Sequence, residues 1–220
     1  MKFELDNVEL YFKNKSILSG IYLKAETGKV TAILGTNGSG KSCLLRIAFG
    51  NLKPKYKLVR INGKPLLKPL YKTKNIKFLP QYNFVPSGMT LNFVFKTYGL
   101  NWETFIKEFD EFLGFKTFNF SKLSGGQRRI VETYIILKAK SEIVLLDEPF
   151  SHISPLYVEK IKTLINDEKS NKIIIITDHM YRHIIEVSDT IYLLKNGATK
   201  RINKLTELED YKYLSQGSLN

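Results

Sequence analysis

A single cysteine, Cys43, stands in a chain of 220 residues, so no internal disulfide can form and nothing points to an oxidising compartment. Long apolar runs are missing too. Stretches such as Ile173 to Ile176 fall far short of the roughly 20 residues that cross a bilayer, so no direct membrane insertion is expected. No secretory leader is expected ahead of the first strand. There is no internal repeat and no low-complexity segment, which excludes solenoids and arrays. Nor is there an arginine-rich arm. The formal charge of +13 would suit nucleic acid or an anionic lipid surface, but the lysines read as scattered singly among Asn, Ile and Tyr, as on an ordinary solvated face. With 43% hydrophobic and 25% charged residues, the chain has the composition of one folded domain with room for a small inserted subdomain.

What is present is one dominant stretch, Gly35-Thr36-Asn37-Gly38-Ser39-Gly40-Lys41-Ser42, which fits the phosphate-loop pattern G-x-x-x-x-G-K-[ST] at every fixed position. Both flanks suit it. Val30 to Leu34 predicts a buried strand and Lys41 to Phe49 a helix, so the glycines fall on the strand-to-helix turn. There the backbone can curl until several N–H groups converge, beside the partial positive charge of a helix N-terminus. Lys41 is expected to reach the β/γ-phosphates of a nucleotide and Ser42 to ligate Mg²⁺. Cys43, in the first turn of that helix, reads as a small packing residue at the edge of the site.

In chain order, Phe3 to Tyr11 and Ile17 to Ala25 predict an antiparallel pair, with Phe3, Leu5, Asn7 and Glu9 on one face. Tyr11 and Phe12 offer a ring that could stack on a nucleotide base, with one of the two packing inward as the competing reading. After the phosphate-loop helix, Leu58 to Ile61, the turn Asn62-Gly63 and Ile76 to Leu79 read as short strands, closed by Pro80 and followed by Gln81. Between 82 and 122 aromatics dominate. Trp102, Phe105, Ile106, Phe109, Phe112 and Leu113 recur at helical spacing, predicting one apolar helix face in a helical subdomain. Ser124-Gly125-Gly126-Gln127 then opens a helix and makes a second anion-attracting N-terminus. Ile143 to Leu146 is a continuous apolar strand ending in Asp147-Glu148, at the same sheet edge as the phosphate loop. Asp147 suits a Mg²⁺-bound water and Glu148 a general base aimed at an attacking water. Ile173 to Ile176 is a further core strand, ending in Thr177-Asp178-His179. Ile191 to Leu194, Asn196-Gly197 and Ala198 to Ile202 make a last hairpin, and the tail from Thr206 predicts one short helix and a frayed end with no room for a regulatory domain.

Taken in order, the phosphate loop, Phe78-Leu79-Pro80-Gln81, Leu123-Ser124-Gly125-Gly126-Gln127, the strand into Asp147-Glu148 and the late His179 resemble the ATP-binding cassette (ABC) ATPases over nearly the whole chain. The resemblance implies an α/β fold: a phosphate-loop core with a mostly parallel sheet (1–81 and 123–205), an N-terminal antiparallel subdomain, an inserted helical subdomain (82–122) and a tail (206–220). It also implies ATP and Mg²⁺ as cofactors and a head-to-tail pair of cassettes. In that pair the loop from Gly35 to Cys43 would bind the phosphates, Phe12 would stack on adenine, Ser42 and Gln81 would hold Mg²⁺, and His179 would contact the γ-phosphate. Ser124, Gly125, Gly126 and Gln127 would serve the partner's nucleotide. Two departures stand out: Ser154 where the loop after Glu148 usually ends in Asp, and Thr-Asp-His where most members carry Thr-His-Asp. An inserted Asp178 keeps His179 as the switch residue and, with Gly125 to Glu132, is similar to the lipopolysaccharide-export ATPase.

The resemblance therefore implies an ATP-hydrolysing transporter subunit on the cytoplasmic face of a membrane, held there by separate transmembrane permease subunits and paired with a second ATPase subunit. Nucleic acid is not the expected partner. The alternative is a soluble non-transport relative acting on nucleic acid or ribosomes, and a third reading is a non-hydrolysing member of a heterodimer.

Overall fold

The computed structural model describes residues 1–218; positions 219 and 220 of the expected tail lie outside the described residues. Strands β1 (Lys2–Phe12) and β2 (Lys15–Glu26) pair antiparallel around a turn in which Lys13 takes a positive φ. The strict alternation expected along β1 does not hold. Asn7 adopts φ 50° and the register shifts on both sides of Val8, so Phe3, Leu5, Val8 and Leu10 point into the core while Asn7 and Glu9 do not. A bulge of one residue moves every later side chain to the other face.

Strand β3 (Val30–Leu34) is buried throughout and leads through the glycine loop into α1 (Lys41–Phe49), which Gly50 ends at φ 102°. Next come β4 (Tyr56–Ile61), a tight turn at Asn62-Gly63, β5 (Lys64–Pro65), a 3-10 turn over Leu70–Thr73 and β6 (Ile76–Leu79). Helices α2 (Leu91–Thr97) and α3 (Trp102–Glu108) follow, capped by the side chains of Thr90 and Asn101. The stripe expected on one helix is divided here. The chain leaves the α-helix at Phe109 and makes a 3-10 turn over Asp110–Phe112; Phe109 and Phe112 stay buried against Phe105, with ring centroids 5.2 and 5.1 Å away, but Leu113 is 73% exposed. Ring packing decides the backbone there, over helical propensity.

The remaining elements are α4 (Gly125–Lys138), β7 (Ile143–Asp147), α5 (Pro155–Lys169), β8 (Ile173–Thr177), α6 (Tyr181–Val187), β9 (Thr190–Lys195), β10 (Ala198–Ile202) and α7 (Glu207–Asp210). They complete two sheets, ordered β2-β1-β4-β5 and β10-β9-β3-β8-β7-β6. The first is antiparallel; in the second, β3 and β6 to β9 are parallel and only β10 runs the other way. Both faces of the parallel sheet are covered. Val144, Leu146, Ile174 and Ile176 pack towards α4 and α5, while Ile143, Leu145, Ile173 and Ile175 pack towards α1 and the antiparallel sheet. That two-sided burial explains why these strands read as unbroken apolar runs. The tail is not frayed where it was expected to be: Leu208 is fully buried, and Tyr211, Tyr213 and Leu214 pack on the core.

Candidate nucleotide site

The carboxyl ends of the parallel strands share one edge, and a cleft of about 520 Å³ opens there. Phe12, Asn37, Gly38, Gly40, Lys41, Ser42, Cys43, Gln81, Glu148 and His179 all line it. Lys41 and His179, 138 positions apart in the chain, thus meet because β3, β6, β7 and β8 end side by side.

The loop needs its glycines. A Cβ on Gly35 would stand 2.7 Å from both the Leu194 carbonyl and the Ser39 hydroxyl, and Gly38 and Gly40 take φ values of 77° and 105°. Lys41 folds back, donating to the carbonyls of Gly35 at 2.7 Å and Thr36 at 3.2 Å. Burial pushes its ammonium below the usual lysine range, while Glu148, Asp147 and Asp178 oppose the shift. The Ser39 hydroxyl is buried with no partner. An orphaned donor inside a glycine loop fits an incoming phosphate oxygen.

Asp147 ends β7 fully inside, accepting a 2.7 Å bond from the Thr177 hydroxyl. Burial raises its carboxyl, and the hydroxyls of Thr177 and Ser42 pull it part of the way back. A hydroxyl, an amide oxygen and a carboxylate, from Ser42, Gln81 and Asp147, form the hard oxygen set that Mg²⁺ takes alongside water. Glu148 stands at φ 54°, a conformation held by its N–H donating to the Thr177 carbonyl at 2.7 Å. Its carboxylate accepts from Gln81 Nε2 at 3.0 Å and Ser151 Oγ at 3.2 Å, with His179 Nδ1 3.6 Å away. The strained backbone thus aims the carboxylate into the cleft.

Of the two adjacent aromatics, Phe12 is the one on the cleft wall, 49% exposed, whereas a Tyr11 face lies under the Lys55 ammonium. Ser124, Gly125, Gly126 and Gln127 do not line this cleft. They begin α4 with reciprocal caps: Ser124 Oγ accepts from the Gln127 N–H and Gln127 Oε1 from the Ser124 N–H. A Cβ on Gly126 would come within 2.6 Å of the His152 carbonyl, so this turn and the loop after Glu148 touch backbone to backbone. Ser154 precedes Pro155 at the start of α5 and makes no side-chain cap.

Three residues matter that the motifs did not single out for structural roles. Arg129 is buried and its guanidinium spans the carbonyls of Pro80, Asp147 and Glu148, tying the end of β6 to the end of β7. Tyr213 of the tail lines a second cavity of about 470 Å³ together with Thr36 to Ser39. The inserted Asp178 is fully buried and accepts from the backbone N–H groups of Phe150 at 3.0 Å and Met180 at 2.9 Å, clamping the loop after Glu148 to the loop bearing His179.

Burial raises the Asp178 carboxyl, so as pH climbs through the ordinary carboxylate range the native chain keeps this proton longer than the unfolded one. Its contribution to stability is therefore largest below that range and declines as pH rises through it. Wild type should gain melting temperature relative to Asp178→Asn when the pH is lowered from neutral towards the carboxylate range. A difference that stays flat or moves the other way in paired calorimetry sinks this account.

A protein-family model described as ABC transporter matches residues 18–151. A probable branched-chain amino acid transport ATP-binding protein of Archaeoglobus fulgidus is 30% identical, with 94% of each chain covered. The lipopolysaccharide export system ATP-binding protein of Haemophilus influenzae is 28% identical over 87% of this chain and 86% of its own. Among solved structures, the ATP binding subunit of an ABC transporter superposes with a TM-score of 0.83 over 100% of this chain and 96% of that one, at 20% identity, a likeness of fold alone.

Proposed function

We propose, for a chain that belongs to the ABC transporter family and is one of its ATP-binding, ATP-hydrolysing proteins, that it drives transport through separate membrane-spanning subunits as half of a head-to-tail pair. The observation that carries this reading is the division of the site residues. Phosphate-loop residues from Asn37 to Ser42, Gln81, Glu148 and His179 share one open cleft with Asp147 buried next to Glu148, while Ser124 to Gln127 stand apart from it at a helix N-terminus able to serve a second copy.

In this reading the loop amides, Lys41 and the free Ser39 hydroxyl bind the ATP phosphates, and Phe12 stacks on adenine. Ser42 and Gln81 would hold Mg²⁺ directly and Asp147 through water; the ion would neutralise charge on the phosphates. Glu148 takes the proton of the attacking water, and His179 orients the γ-phosphate. No helix among the described residues is long and apolar enough to cross a membrane. An apolar groove of about 220 Å³, lined by Phe84, Val85, Pro86, Met89, Phe93 and Tyr98, follows directly on Gln81 and would receive a helix of the spanning subunit. Movement of that helix would then reach the nucleotide through Gln81.

The test is ATP turnover by the purified chain with Mg²⁺ and with excess chelator, beside gentle extraction from the native membrane. Turnover should need the metal, and a membrane-spanning chain should co-purify. Phe12→Ala should weaken ATP binding about tenfold, the scale of one lost base–aromatic stack, whereas Tyr11→Ala leaves it unchanged. Isolation without any membrane protein would overturn the transport reading, and equal effects of the two substitutions would overturn the assignment of Phe12.

A further inference from the structure

The excess positive charge is not spread over the chain, contrary to the expectation of scattered lysines. Between Glu26 and Glu103 there is no acidic residue, and the thirteen lysines and arginines from Lys29 to Lys96 account for the whole formal charge of +13. The rest of the chain is neutral. Structurally this segment runs from β3 into α2 and includes β4, β5 and β6. Because β5 closes one end of the antiparallel sheet and β6 one end of the parallel sheet, the connection between them forms a rim where both sheets stop.

On that rim Lys64, Lys68, Lys72 and Lys74 are exposed, and among the described residues no carboxylate lies within 4.0 Å of any of their ammonium groups. Elsewhere in the segment some of the charges are answered: Arg60 by Glu4 and Asp6, Lys55 by Glu9, Lys29 by Glu26. Among the lysines stands Leu67, 96% exposed, and Tyr71, 43% exposed, with the Lys72 ammonium 6.0 Å above its ring. A protruding leucine, an interfacial tyrosine and flexible ammonium groups on one short rim are the chemistry of a bilayer surface.

We infer that the rim from Lys64 to Lys74 is a contact surface for an anionic lipid bilayer, with Leu67 and Tyr71 entering the headgroup layer and the lysines meeting lipid phosphates. Nucleic acid fits less well. The rim presents lysine and no free arginine fork, and an aliphatic tip gains nothing on a phosphate backbone. The contact leaves the nucleotide cleft open, since Lys74 precedes β6 while Gln81 follows its far end. It is independent of the transport reading.

The test is co-sedimentation of the full chain with phosphatidylcholine vesicles, with and without about a third phosphatidylserine, at low and high salt. Binding should need the anionic lipid and fall as salt rises. At about fivefold per lysine, Lys64→Gln/Lys68→Gln/Lys72→Gln should weaken it about a hundredfold, and Leu67→Ser about tenfold. Both variants should bind ATP like wild type, which shows that they fold. Equal binding to neutral vesicles, no binding to either, unchanged binding by the variants, or tighter salt-matched binding to an RNA or DNA duplex than to the anionic vesicles would each overturn the inference.

Discussion

Glu148→Gln should slow ATP turnover by about a hundred- to ten-thousand-fold while ATP binds as tightly as before, the range expected when a positioned general base is removed. The substitution is nearly isosteric. A glutamine oxygen can still accept from Gln81 and Ser151, and the φ of 54° is set by backbone bonding to Thr177 rather than by the carboxylate. What disappears is the ability to take a proton. Bound nucleotide should then persist, and the variant should accumulate as an ATP-dependent dimer in light scattering while wild type returns to monomer. Phosphate release within tenfold of wild type would mean that another group takes the proton, and His179 would be the next to replace. Loss of nucleotide binding would instead point to a structural role for Glu148.

The second large effect is on stability. Arg129→Met should lower the melting temperature by about 10–20 °C. The guanidinium donates to Pro80 O at 2.7 Å and to Glu148 O at 2.9 Å, and also reaches Asp147 O, with the Pro80 and Asp147 contacts in the interior and the Glu148 contact part-buried. Methionine fills much of the volume but takes this donor from the Pro80 and Asp147 carbonyls and leaves Glu148 O with the long Ser151 N–H bond at 3.3 Å, at about 1–3 kcal/mol for each carbonyl affected. Some of this is offset, because the cation itself is costly to bury, as the depression of its proton affinity by desolvation indicates. A net loss of about 4–5 kcal/mol, at about 2–4 °C per kcal/mol for a chain of this size, gives the stated shift. Arg129→Lys should fall between the two, since one ammonium cannot span carbonyls that a planar fork reaches together. A shift below about 3 °C for the methionine variant would show that the fork is dispensable.

The parts of this molecule legible in its sequence are those specified locally. The phosphate loop is written in consecutive residues, and Val30 to Leu34, Ile143 to Leu146 and Ile173 to Ile176 are apolar on both faces because both faces are buried. Asn62-Gly63 and Asn196-Gly197 adopt the positive φ values that their residue types favour. The divergences have tertiary causes. The bulge at Asn7 follows from pairing with β2 and β4, the break after Glu108 from rings that pack on Tyr134, and the ordered tail from a place on the core, where Leu208 is buried and Tyr213 shares a cavity with Thr36 to Ser39. Asp178 could be counted as an insertion, yet the two N–H groups it binds lie 28 residues apart from it in one case and two in the other. The charge asymmetry was present in the sequence throughout. It spans a window far longer than any motif, so reading lysines one at a time hides it.

The position of β3 also dictates an order of events during synthesis. The strand that carries the phosphate loop pairs only with β8 and β9, Val30 with Ile174 and Leu34 with Leu193. Its hydrogen-bonding partners are thus made 144 to 159 residues after it. At about 5–20 residues per second, the loop waits roughly 7–30 s on the ribosome before its two neighbours exist. A nascent chain therefore acquires its nucleotide grip late and all at once, and any fragment ending before β8 should be unable to hold ATP, however complete its motif.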